Sequence, residues 1–316
     1  RQEMRHKHKR MGIEKRIYKT NINQMLRYLT LIFYGVFGIG CIYAFLLIFC
    51  FSTFKIPSDS MEPQLQTGDQ VLVNKWIAGP RLFNIFASMK GKRVDIYRVP
   101  GVGQIKRNDI LVFNYPHPYS WERIEMHIMQ YYIKRCLGLP GDSIRIEQGF
   151  YRNNHTKEPL GNVESQANLS RQKADRMPDG VYRCFPFDST FNWNVHDFGP
   201  LYIPRKGDRI TVNQTNYKLY KQMIEWESKD SLSWKDSKVY IGDKQVRQYQ
   251  FQSNYYFVAG DKTENSRDSR YLGLIPEEFI VGVAWKVWKS VDPYTGEYRK
   301  GPVSYTHLRA HETVLD

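Results

Sequence analysis

Acidic residues are nearly missing from the start of the chain: in the first 27 positions only Glu3 and Glu14 stand against nine lysines and arginines. That local balance of +7 is half of the formal +14 carried by all 316 residues. Charge of either sign is then absent over the 27 residues from Tyr28 to Phe54, YLTLIFYGVFGIGCIYAFLLIFCFSTF. Cysteine is scarce, with four in the chain, and two of them, Cys41 and Cys50, lie in that uncharged run. The other two, Cys136 and Cys184, show no spacing that indicates a disulfide, and no paired Cys/His spacing suggests zinc. We therefore expect neither metal nor cofactor. Internal repeats and a helix-turn-helix candidate are also lacking. With half of the excess charge confined to one end and no obvious basic motif in the remainder, a nucleic-acid role is disfavoured.

At about 1.5 Å per residue a helix over the uncharged run crosses a hydrocarbon core of roughly 30 Å. A cleaved leader would instead have an apolar stretch of about 7–15 residues ending at small residues, so the run reads as a retained anchor. The basic flank places residues 1–27 in the cytoplasm and everything beyond Lys55 outside. It also marks membrane lipid as a partner, because anionic head groups attract a polybasic juxtamembrane segment.

Beyond the anchor, 41% hydrophobic and 15% aromatic residues overall leave ample material for a core. Short runs rich in Val, Ile, Tyr and Trp (QVLVNKW, DILVFNY, SIRI, DRITV, KVYIGD, NYYFVAGD, EFIVGVAWKVWK) alternate with Gly, Pro, Asn and Asp clusters. They predict a mainly β, antiparallel domain. Helical spacing is only local, as over Asn216–Glu227. Two polar stretches, 78–106 and about 148–247, read as insertions that bury little apolar surface, the second as an accessory lobe.

Three segments carry chemistry. In Lys55–Pro63 (KIPSDSMEP) two prolines predict an extended chain with Ser58 and Ser60 on one side, although a solvated Ser-rich linker has the same composition. In YIKRCLGLPGD, strand alternation sets Lys134 with Tyr132 and Cys136 and turns Arg135 the other way, so one of two adjacent cations faces a drier side. A desolvated lysine loses basicity and becomes able to take a serine proton, while most strand lysines are simply solvated. In GDKTENSRDSR, an extended stretch puts Ser266, Asp268 and Arg270 on one face; alone it is an ordinary polar turn.

Taken in order, Ser58-Asp59-Ser60-Met61-Glu62-Pro63, Gly68-Asp69, Arg107-Asn108-Asp109-Ile110-Leu111-Val112, Tyr132 to Asp142 and Ser266-Arg267-Asp268-Ser269-Arg270 resemble the bacterial type I signal peptidases. The resemblance runs from about Tyr28 to Ser290. It implies a membrane-anchored serine endopeptidase of coiled antiparallel sheets, cutting signal peptides from exported preproteins after an Ala-x-Ala-like site. It also implies Ser60 as nucleophile, Lys134 as general base and Ser58 in the oxyanion hole. Ser266 would orient the lysine, Asp268 and Arg270 would brace that wall, and Phe54, Ile56, Pro57, Met61, Tyr132 and Ile133 would line the substrate cleft. Asn108 replaces the usual Gly, and Lys262-Thr263 the usual Asn-Arg; neither is expected to touch Ser60 or Lys134.

The expected organisation is a basic cytoplasmic segment (1–27), a transmembrane helix (28–54), a catalytic domain in two parts (55–147 and 248–292) around the accessory region (148–247), and a tail (293–316). The tail ends in PVSYTHLRAHETVLD, without strand or helix periodicity, either disordered or in part non-native. Localisation follows as a single-pass protein of the bacterial cytoplasmic membrane with its working domain on the exterior face, where an association with the secretion machinery has room. A self-cleaving repressor-type protease shares such a dyad, but those proteins are soluble. A catalytically silent exterior binding domain would have no need of both Ser60 and Lys134.

Overall fold

A computed structural model describes residues 2–84, 86–87, 90 and 96–299. Parts of the 78–106 insertion and the last 17 residues of the expected tail lie outside the described residues. The chain divides into two compact units, one ending at Cys50 and one beginning at Phe51. The first is a single helix, α1 (Gln2–Phe45), followed by a five-residue π turn, Leu46–Cys50. Within it Gln24–Phe45, 22 residues with a mean hydropathy of 1.8, is long and apolar enough to cross a membrane.

The expected helix over 28–54 therefore ends early. Phe51–Lys55 is a strand, β1. An apolar run reads alike whether it spans lipid or enters a sheet, so the boundary between the two left no mark in hydropathy. Strands follow as β2 (Asp69–Asn74), β3 (Arg81–Leu82), β4 (Tyr97–Arg98), β5 (Ile110–Asn114), β6 (Tyr131–Gly138), β7 (Ser143–Glu147), β8 (Phe150–Asn153), β9 (Phe198–Tyr202) and β10 (Arg209–Thr211). Then come β11 (Leu232–Lys235), β12 (Lys238–Ile241), β13 (Lys244–Val246), β14 (Gln248–Gln250), β15 (Tyr255–Ala259), β16 (Ile275–Pro276) and β17 (Ile280–Ser290).

Seven of these form one sheet in the order β1-β2-β17-β5-β6-β15-β16, antiparallel throughout. Register breaks in β17 and β15 bend it, as bulges do. Helix α2 (Val163–Ser170) and helix α3 (Gln214–Ser228) belong to the 148–247 region. The second covers the expected Asn216–Glu227 and is started by Asn213, whose side chain accepts from the Asn216 N–H. Its buried stripe is Leu219, Tyr220, Met223 and Ile224.

Two buried apolar clusters flank β6. The smaller lies under β1, β2, β5 and β17 and contains Ile56, Met61, Val71, Ile110, Ile133 and Val287. In the larger, Leu111, Phe113 and Phe257 of the sheet pack with Phe198, Leu201 and Leu219 of the 148–247 region. That region thus buries more apolar surface than its polar composition suggested. Each of its elements supplies only a few apolar residues, and these become core only by docking on the sheet.

Candidate active site

The segment expected to carry the nucleophile is a turn rather than the expected extended chain. After Pro57 the backbone folds back, with the Glu62 N–H donating to Asp59 O at 2.9 Å and the Leu65 N–H to Met61 O at 2.9 Å. Met61 is driven into the smaller core, and the turn swings Ser60 beneath β6. Ser58 and Ser60 still face common space, their hydroxyl oxygens 3.4 Å apart. Ser58 is exposed and Ser60 buried.

Lys134 meets Ser60 although 74 positions separate them: its Nζ donates to Ser60 Oγ at 2.7 Å and to its neighbour's carbonyl, Ile133 O, at 3.0 Å. It lies 5.6 Å from the Tyr132 ring centroid, on the expected shared face. Contrary to the expectation of one dry and one wet cation, Lys134 and Arg135 are both buried, at 4% and 3% exposure. Arg135 is closed off by Asp261, with Nε to Oδ1 and Nη2 to Oδ2 both at 2.6 Å. Burial lowers the Lys134 amine from its ordinary 10.5 to about 8, against the pull of Asp268, Asp261 and Asp59.

The wall behind the amine is built by the loop after β15. Arg270 grips Asp268 through Nε to Oδ1 at 2.8 Å and Nη2 to Oδ2 at 2.9 Å, and the Gly260 N–H donates to Asp268 Oδ2 at 3.0 Å. Burial would raise the Asp268 carboxyl, but Arg270 holds it below the usual range. Ser266 leans toward this carboxylate; its buried Oγ makes no well-formed hydrogen bond, to Lys134 or to any other group. Gly260 fills a place no side chain could: a Cβ there would sit 2.2 Å from Ser266 Oγ and 2.6 Å from Ser60 O. Glycine is required so that the two serines can approach.

The expected cleft residues divide. Ile56 and Met61 are fully buried and Ile133 nearly so, forming the floor under the turn. Pro57 is exposed, and Phe54 and Tyr132 are half-buried. Phe54 packs edge-on against Tyr131 at 4.9 Å.

Lys262, expected to be a silent departure, touches the Ser58–Ser60 turn directly. Its N–H donates to Ser60 O at 3.1 Å, and its Nζ reaches Asp59 Oδ2 at 2.5 Å and Glu62 Oε2 at 3.4 Å. Asn265 adds Nδ2 contacts of 3.1 Å to both Asp59 oxygens. Asn108, the other departure, has φ 68°, which glycine adopts freely and asparagine tolerates. Among the described residues no group of three or more His, Cys, Asp or Glu side chains is gathered to hold a metal. Cys136 and Cys184 are free thiols.

The profile of the family described as signal peptidase, peptidase S26, matches residues 28–288. The chain belongs to this family. Signal peptidase I of Buchnera aphidicola (subsp. Acyrthosiphon pisum) is 29% identical over 263 residues, covering 80% of this chain and 73% of that one. Signal peptidase I of Pseudomonas aeruginosa is 29% identical over 252 residues, covering 77% and 66%. The crystal structure of a signal peptidase I from Enterococcus faecalis overlaps 58% of this chain and 98% of its own, with 17% identity and a TM-score of 0.29. The mainly β assignment stands on the strand order above. As a signal peptidase the chain is a serine endopeptidase, a hydrolase whose substrates are preproteins bearing signal peptides. The apolar helix Gln24–Phe45, the one span long and apolar enough to cross a membrane among the described residues, makes it a membrane-anchored one.

Proposed function

We propose that this signal peptidase cuts by a Ser60/Lys134 mechanism, after small residues in an Ala-x-Ala-like pattern. The observation that carries this is the 2.7 Å contact between a buried amine, lowered to about 8, and a serine hydroxyl. In its neutral form Lys134 accepts the Ser60 proton as Oγ bonds to the scissile carbonyl carbon. The Ser58 hydroxyl and the Ser60 N–H receive the oxyanion, each such donor being worth about 3–4 kcal/mol elsewhere. The proton passes from Lys134 to the departing amine, leaving an ester on Ser60. Lys134 then deprotonates water, which attacks that ester, and the proton returns to Ser60. Asp268 with Arg270 keeps the wall behind the amine in place, with Ser266 standing in that wall beside Asp268. Phe54, Ile56, Pro57, Met61, Tyr132 and Ile133 form the surface and floor beneath the signal segment.

The orientation is part of the proposal: residues 1–27 cytoplasmic, the catalytic parts 55–147 and 248–292 with the accessory 148–247 on the exterior face, supported by the basic flank. Contact with lipid is supported by Trp285 and Trp288, 57% and 54% exposed on β17, the first stacked on Phe51 at 5.8 Å. Such aromatics favour the membrane–water boundary. Association with the secretion machinery, which delivers the substrates, belongs to the same reading.

Full-length protein in detergent, given a preprotein with an Ala-x-Ala site, tests the mechanism. The group must be deprotonated to act, so kcat/KM should climb with pH, about tenfold per unit below 8, and level off above it. Ser60→Ala and Lys134→Met should each abolish turnover in folded protein. Cleavage that survives either change overturns the dyad.

A further inference from the structure

A cavity of about 740 Å³ opens beside the site. Its walls come from three distant parts of the chain: Asn265, Ser266 and Arg267 from the loop after β15, Trp121 from the loop between β5 and β6, and Phe187 and Gln222 from the 148–247 region. The walls are tied together. Gln222 Nε2 donates to Trp121 O at 2.9 Å, and the Arg267 guanidinium lies 5.2 Å from the Trp121 ring centroid.

Two residues that line the cavity also reach the Ser58–Ser60 turn. Asn265, which lines it, holds Asp59, and Ser266, which also lines it, stands across Gly260 from the Ser60 carbonyl. Ser60 and Lys134 thus have two different surfaces in their neighbourhood. On one side is the smaller cluster with Ile56, Met61 and Ile133, roofed by β1, whose first residue follows the anchoring unit directly in sequence. On the other side is this cavity, walled by the accessory region.

We propose that the cavity binds the segment of the preprotein that follows the scissile bond, the start of the mature chain, in extended form, and that the accessory region exists in part to supply its far wall. This rests on the function proposed above. The apolar signal half belongs over the apolar cluster beside β1, which leaves the mature half for the cavity. The volume lies within the roughly 300–1,000 Å³ of ligand sites. The chemistry of the walls suits such a chain. The amides of Asn265 and Gln222 can pair with backbone N–H and C=O groups, and exposed rings at Trp121 (46%) and Phe187 (53%) offer an apolar platform for one side chain.

The test uses the full-length protein and two substrates sharing one signal segment and cleavage site, one continuing into a mature chain, the other ending one residue after the scissile bond. The ratio of their kcat/KM values is the readout. Wild type should favour the longer substrate by about tenfold or more, and Phe187→Asp or Gln222→Ala should bring the ratio toward one. Phe187 has φ 60°, a conformation Asp tolerates, and its exposure makes the change safe for folding. A wild type indifferent to the mature segment, or variants that keep its ratio, overturns the inference. A peptide of the mature segment alone, titrated into Ser60→Ala protein and followed by Trp fluorescence, gives a reading independent of turnover. Phe187→Asp should weaken that binding about tenfold, and equal binding counts against the site. Failure of the dyad reads differently, as cleavage of either substrate by Ser60→Ala protein.

Discussion

Three carboxylates lie close enough to Lys134 to raise its pKa, and each is already held by another cation: Asp261 by Arg135, Asp268 by Arg270, and Asp59 by Lys262. Burial therefore wins, and the amine stays near 8. The folded state binds the proton less tightly than the unfolded chain, so stability is lowest below pH 8 and recovers as pH rises from 8 toward 10.5. At 1.36 kcal/mol for each pH unit the cost at neutral pH is about 3 kcal/mol. Losing the bond to Ser60 returns about 1 kcal/mol of that. Lys134→Met should accordingly be more stable than wild type by about 2 kcal/mol at pH 7 in urea unfolding, with the gap narrowing by pH 10.

Lys262 acts on the same site through position. Its ion pairs are about one-third exposed, so Lys262→Met should change stability by less than about 1 kcal/mol. It releases the turn that carries Ser60, the nucleophile proposed above, and a nucleophile misplaced by about 1 Å can cost up to about 100-fold. We expect kcat to fall at least tenfold with KM little changed, and Lys262→Arg to restore most of it. Ser60, Lys134, Asp268 and Arg270 were legible because each sits in a short motif with its neighbours. Lys262 was not, because its partner Asp59 lies 203 positions earlier and only the fold joins them.

At the scale of elements, the ends of β6 are fastened by residues whose motifs had no evident chemistry. Asp142 accepts from Arg107 Nε at 2.9 Å, from Asn153 Nδ2 at 2.8 Å and from the Leu139 N–H at 2.8 Å. Asn108 clips the accessory region, donating through Nδ2 to Pro159 O at 3.0 Å and accepting from the Gly161 N–H at 2.9 Å. The substitution of Asn for Gly thus keeps a left-handed backbone and gains two bonds. Asn108→Gly should lose only the bonds, about 1 kcal/mol, whereas Asn108→Ala loses them and adds left-handed strain of about 1–2 kcal/mol more. Thermal unfolding midpoints should rank wild type above Gly above Ala. The strands themselves were readable from their β-branched and aromatic runs. The share that the 148–247 region takes in the main core was not, since a few apolar residues per element reveal no partner until the elements dock.

For the molecule as a whole, the division at Phe51 has a practical meaning. β1 pairs with β2 from Phe51↔Asn74 to Lys55↔Gln70, so the residues that looked like the end of the anchor are the edge of the catalytic sheet. A truncation beginning at Phe51 should fold and cleave short peptides in detergent. One beginning at Ile56 removes an edge strand and exposes the smaller core, and should show a clearly lower unfolding midpoint and weak turnover.

The thiols carry a last consequence. Cys136 and Cys184 are buried and free, and burial pushes both up, Cys184 to about 12. Thiolate, the form that alkylates, oxidises and exchanges, is then almost absent from the folded domain. On the exterior face proposed for it, the catalytic domain would in this way be indifferent to the redox chemistry around it without a cross-link between these two cysteines: the fold keeps their sulfur out of reach, and the two thiols become reactive only in chains that have come apart.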